Sequence, residues 1–183
     1  MIFRGKQPEA VIWRRFRSGL DGFTFAERGD PTADGDTGYY TAHVVANAER
    51  VLDLLHSFSE LLGPAVDVAI EDRRTGRTWH GESVALPDVR DTVARLKLPL
   101  ATYGGVELSI YTADDQLTLT PWLELFTYAR TDRWLYVLLG KGLVEQESLP
   151  SKAWLPEGVA FPAAPELEHA LRAAVQRLAL VPA

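Results

Sequence analysis

Apolar and polar residues alternate along this chain with two periods, and the positions where one period gives way to the other mark its elements. From Asn47 the residues Val51, Leu54, Leu55, Phe58, Leu61 and Leu62 recur at helical spacing until Gly63-Pro64, which predicts an amphipathic helix capped by Asn47. A narrower stripe of Val89, Val93 and Leu96 predicts a short helix from about Pro87 to Leu98, closed by Pro99. Leu167, Ala170, Leu171, Ala174, Val175 and Leu178 predict a last helix from Pro165 to about Leu180. Between these lies a run with two readings. Thr131-Asp132 before it and Lys141-Gly142-Leu143 after it suit a helix with a Schellman ending, whereas Trp134-Leu135-Tyr136-Val137-Leu138-Leu139 also suits a strand.

Period-two alternation governs the rest. Residues 9–17 and 23–27 are β-rich runs joined by Ser18-Gly19-Leu20-Asp21-Gly22, which predicts a hairpin; Gly29 to Gly38 reads as a surface loop and Tyr39 to Val45 as a strand. A second hairpin is predicted where Ala65 to Asp72 and Arg77 to Val84 flank Arg73-Arg74-Thr75-Gly76, with Val66, Val68 and Ile70 on one face. Val106, Leu108 and Ile110 alternate with Glu107, Ser109 and Tyr111, and after the turn at Ala113-Asp114-Asp115 residues 116–130 alternate again. Pro121 cannot donate to a ladder, so that stretch predicts two strands or one bent strand. Leu149 to Pro165 is proline-rich and aperiodic, which predicts a loop over the body. Strands and helices that each have one apolar face bury one another, so the expected fold is a single α+β domain over 1–183. It has a mostly antiparallel sheet of about six to eight strands and three or four helices packed mainly on one face.

Composition then narrows the chemistry. With 46% hydrophobic and 24% charged residues, the chain is neither disordered nor a coiled coil. The absence of cysteine excludes disulfides, a thiolate nucleophile, iron–sulfur clusters and every Cys-containing zinc site. Met1 to Pro8 has no apolar h-region and no stretch approaches a spanning length, so the expectations are a cytoplasmic location and no membrane partner. A net charge of −6 repels phosphate backbones, so nucleic acid is not an expected partner. Charge is uneven: residues 1–20 carry five basic residues against one acidic, and residues 29–72 carry nine acidic against one basic, which suggests that the two parts lie near each other.

Local chemical motifs are absent. His43, His56, His80 and His169 show no paired-ligand spacing, although His43 and His80 fall on strands that a sheet can bring together. Asp30, Asp34 and Asp36 lack the order of a calcium loop and read as a solvated acidic loop, so no metal and no cofactor are expected. Asp114-Asp115 reads as turn chemistry. There is no G-x-S-x-G elbow, no G-x-G-x-x-G and no phosphate loop, and catalytic residues stay unassigned.

One face remains. If Leu117, Leu119, Leu123 and Leu125 face the helices, then Thr118, Thr120, Trp122, Glu124, Phe126, Tyr128 and Arg130 face away, joined by Glu107, Ser109 and Tyr111. Rings interleaved with polar groups suit an interface or ligand groove, since the rings bury area while the polar groups fix orientation. Trp122, Glu124, Phe126, Tyr128 and Arg130 are therefore the candidate binding residues. Three arrangements fit: a second core layer made by the N-terminal hairpin or the proline-rich segment, a protein partner or second subunit, or a small-molecule ligand. The expected function is a non-catalytic interaction protein that forms a homo-oligomer or binds a protein partner through this face. The alternative is a small-molecule-binding protein or hydrolytic enzyme with a pocket between this face and the C-terminal helix, using Glu124, Tyr128 and Arg130.

Overall fold

Alternation along the strands and apolar stripes along the helices meet in one α+β arrangement, seen in a computed structural model that describes residues 22–28, 38–149 and 161–183. In chain order the elements are β1 (Gly22–Arg28), β2 (Tyr39–Val45), α1 (Ala48–Ser59), β3 (Ala65–Asp72), β4 (Arg77–Ala85) and α2 (Leu86–Tyr103). There follow β5 (Val106–Tyr111), β6 (Asp115–Leu119), β7 (Leu125–Ala129), α3 (Arg133–Gly140), β8 (Val144–Glu145), α4 (Pro165–Arg177) and β9 (Val181–Pro182). The described strands form one nine-stranded sheet in the order β8-β1-β2-β7-β6-β5-β3-β4-β9. Every pairing is antiparallel except β1 with β8. The count exceeds the expected six to eight because β8 and β9 are two-residue edge strands, too short to show any alternation.

Most expected elements stand. Asn47 caps α1, its side chain accepting from the Glu49 and Arg50 N–H groups. The β3–β4 hairpin turns at Gly76, whose N–H reaches the Asp72 carbonyl at 2.8 Å. Residues 133–140 are helical; Asp132 stands at the N-cap without a side-chain cap bond, and the ending has the Schellman pattern: Gly142 has φ 76 and the Leu143 N–H donates to the Leu138 carbonyl. That helix buries Trp134 (0% exposed) against Phe58, ring centroids 5.1 Å apart. Residues 116–130 form two strands, with Pro121 in the connecting turn. The expected strand at 23–27 is β1, paired with β2 from Gly22↔Val45 to Arg28↔Tyr39. Its expected partner at 9–17, the acidic loop around Asp30, Asp34 and Asp36, and most of the proline-rich segment lie outside the described residues.

One boundary needs correction. Pro99 does not close α2, which continues to Tyr103 with the proline inside it. Leu100 and Ala101, beyond the proline, are buried in the core, so the gain from extending the apolar stripe outweighs the missing N–H. The helix ends instead at Gly104-Gly105, both at positive φ. A side chain there is excluded twice over, since a Cβ on Gly104 would lie 2.9 Å from the Pro121 carbonyl oxygen.

The helices sit on one face, where Leu55, Val68, Leu100, Ile110, Leu117, Leu125 and Leu171 share a continuous core. Arg74 ties the ends of this assembly together. Its guanidinium donates to the Pro162 (2.7 Å), Gly104 (2.8 Å) and Tyr103 (2.6 Å) carbonyls and rests on the Phe161 ring, 5.3 Å from the centroid.

Candidate functional site

Pairing register fixes what the opposite face of the sheet carries, because residues paired across a ladder point the same way. One rank runs Thr24, His43, Phe126, Thr118, Ser109, Ala69, His80 from β1 to β4. The next runs Ala26, Thr41, Tyr128, Gln116, Tyr111, Asp67. Among the described residues no helix packs on this side, and the ring-bearing positions are half-buried.

The centre of the face is β2 beside β7. His43 and Phe126 stack in parallel, centroids 4.3 Å apart and planes 4° from each other, and Tyr39 leans on Tyr128 at 4.8 Å. Glu124, only 4% exposed, accepts or shares a proton with His43 Nε2 at 2.9 Å. The turn that delivers Glu124 is built by Leu123 at φ 59 and by the Thr120 hydroxyl, which accepts from the Glu124 N–H at 3.2 Å. Across the sheet, Ser109 and Thr118 hydroxyls bond each other at 2.9 Å. Arg73 bridges Glu71 (2.9 Å) and Glu107 (3.4 Å).

The structure brings three of the five candidate residues together. Glu124, Phe126 and Tyr128 share the face as alternation requires. Trp122 belongs to the turn at its end and leans on Phe161, centroids 4.5 Å apart. Arg130 lies past the end of β7 and is exposed, so it does not partner Glu124. His43 fills that role instead, with Tyr39 and Thr41 beside it. Nothing in the sequence aligned β2 with β7, since 80 or so residues separate them and only the ladder sets their register. The C-terminal helix α4 packs in the core on the other side of the sheet, so it does not form a pocket with Glu124 and Tyr128.

Other candidates resolve simply. His43 and His80 lie five strands apart in one rank, about 24 Å at normal strand spacing, and do not meet. No group of three or more His, Cys, Asp or Glu side chains is placed to hold a metal among the described residues. Asp114 and Asp115 serve the turn: both N–H groups donate to the Thr112 hydroxyl, and the Asp115 carboxylate pairs with Arg133 at 2.9 Å. Burial raises the Asp115 carboxyl above the usual range, and the Arg133 charge opposes that rise. No helix among the described residues is long and apolar enough to cross a membrane.

Chemically, an oriented imidazole beside a buried carboxylate is capable of moving a proton. The Ser109 and Thr118 hydroxyls bond each other, and in their rank Phe126 stands between them and His43, whose cross-strand neighbour on the other side is Thr24. Among the described residues this face carries half-buried rings on β2 and β7, with Glu107, Glu71 and Asp67 two and three strands away. No protein-family model, curated protein or solved structure matches the chain.

Proposed function

We propose that this protein is a non-catalytic interaction protein that receives an extended, basic segment of a partner polypeptide on the open face of its sheet. The observation that carries the reading is the pair of ring contacts on β2 and β7, Tyr39 with Tyr128 and His43 with Phe126, on a side that no described helix covers and that carries Asp67, Glu71 and Glu107 two and three strands further along. Rings packed on one another are held in place before binding and lose little conformational freedom on contact. Their faces attract guanidinium and ammonium groups, and Asp67, Glu71 and Glu107 add negative charge further across the same face, within reach of an extended segment. Arg73, lodged between Glu71 and Glu107, illustrates how a guanidinium fits there.

The same carboxylates argue against a second copy as the occupant. Two chains apposed through this face would set acidic groups against acidic groups, which costs association free energy. A basic segment relieves that repulsion.

The test is fluorescence anisotropy of a labelled peptide alternating arginine and valine, titrated with the full chain at about 50 and 300 mM salt. Micromolar binding that weakens with salt, and is lost in Tyr128→Ala at unchanged fold by circular dichroism, is the expected result. Equal binding of a peptide alternating aspartate and valine, or indifference to Tyr128→Ala, defeats the proposal.

A further inference from the structure

On the helix side of the sheet, away from the open face, β4 and α4 enclose a groove of about 680 Å³, within the range of small-molecule sites. Its walls follow from register and helical spacing. Arg77 pairs with Asp72 and Trp79 with Ile70, a core residue, so Arg77 and Trp79 project from β4 toward the helices. From α4, Arg172 and Val175 come to the same groove three positions apart, with Gln176 next to them. Leu180 and Pro182, where the chain returns along β4 as β9, close one end.

Two features set this groove apart. No lining side chain is a carboxylate, in a chain with 25 Asp and Glu against 19 Lys and Arg. Its two arginines also lack the ion pairs that their neighbours have. Arg73, Arg74, Arg90, Arg95, Arg133 and Arg177 each bridge an acid, whereas Arg77 and Arg172 bridge none among the described residues. The two guanidiniums at the rim outnumber the one acid there, the terminal carboxylate of Ala183, and leave a local positive potential in a protein of net charge −6. Trp79 is packed on the core, so its ring is a fixed apolar wall, and Val175, Leu180 and Pro182 extend that wall.

We infer that this groove binds a small amphipathic anion, a molecule with a flat apolar body and a carboxylate, sulfonate or phosphate group. The body lies against Trp79 and Val175, and the anion accepts hydrogen bonds from Arg77 and Arg172, whose planar donors suit oxyanions. The open face takes no part in this, so the inference stands apart from the function proposed above.

The probe is 1-anilinonaphthalene-8-sulfonate, titrated into the full chain and followed by its fluorescence. Saturable binding at one site is expected, with tryptophan emission transferred to the probe. In the Arg77→Gln/Arg172→Gln variant affinity should fall by about tenfold or more, since two charge-assisted contacts are lost. Both arginines are exposed, so the variant should melt with the parent. N-phenyl-1-naphthylamine, the same body without the sulfonate, should bind parent and variant alike. Tyr128→Ala, on the other face, should leave the titration unchanged. The inference is overturned if the sulfonate probe does not bind the parent, if the double variant binds it equally well, or if Tyr128→Ala alone abolishes binding.

Discussion

Replacing Arg74 by methionine should be among the most damaging single changes outside the apolar core, and the structure indicates why. Methionine keeps an unbranched stem for packing on Phe161 but removes every donor. Three carbonyls now within 2.6–2.8 Å of the guanidinium, those of Pro162, Gly104 and Tyr103, then lose a charged partner. Asp72, 3.8 Å away and 3% exposed, keeps its bonds from the Arg74 N–H and the Thr75 hydroxyl but loses the compensating cation. Hydrogen bonds from charged groups are worth about 1.5–3 kcal/mol each and are not additive, and stripping one partner from a buried pair costs about 3–5 kcal/mol, so we expect a loss near 4 kcal/mol. At about 2–4 °C per kcal/mol for a chain of this size, Tm should fall by roughly 8–16 °C. Urea unfolding followed by circular dichroism, with an unchanged m-value, measures this directly. Arg74→Lys should recover only part of the loss, because one ammonium cannot reach three carbonyls that a planar fork spans. Should Arg74→Met cost under about 1 kcal/mol, the guanidinium is not the tie between the β3–β4 turn, the end of α2 and the start of the last segment, and the reasoning fails.

Further outcomes follow from the same contacts. Trp134→Ala, at a fully buried ring, should cost about 3–5 kcal/mol, whereas Tyr128→Ala on the open face should cost about 1 kcal/mol, as parallel melts would show. Gly104→Ala should cost about 2 kcal/mol or more, because φ 54 strains an alanine and its Cβ meets the Pro121 carbonyl; a neutral result by denaturation would contradict that geometry. Asp115 has its folded carboxyl raised by burial, so its contribution is present below the unfolded carboxylate range and lost as pH rises through the folded value. Asp115→Asn should therefore be more destabilising near pH 4 than near pH 6, which urea titrations at both values check. Asp30, Asp34 and Asp36 lack the order of a calcium loop, so a chelator should leave Tm unchanged.

Local pattern alone determined a large part of this protein. The Asn47 cap with its apolar stripe, the turn residues between β3 and β4, the Gly142 ending of α3 and the alternation in β5, β6 and β7 are short-range effects, decided by residues within a few positions of one another. They suffice for the α+β class, the one-sided helical layer, and the placing of Glu124, Phe126 and Tyr128 opposite Leu117 and Leu125. Long-range packing decided the rest. Pro99 reads as a stop, yet α2 runs through it because burying Leu100 and Ala101 rewards continuation, a gain that exists only once the sheet is in place. The edge strands β8 and β9 have no signal of their own; they exist because β1 and β4 offer unpaired backbone. Most of all, the sheet order sets β2 against β7, and that pairing joins His43 to Glu124 and Tyr39 to Tyr128. Likewise Arg77 and Arg172 share a groove because α4 returns to the β4 edge of the sheet. Periodicity reports which way a side chain faces, but its neighbours on that face come from strands distant in the chain, and register between such strands is a property of the assembled core.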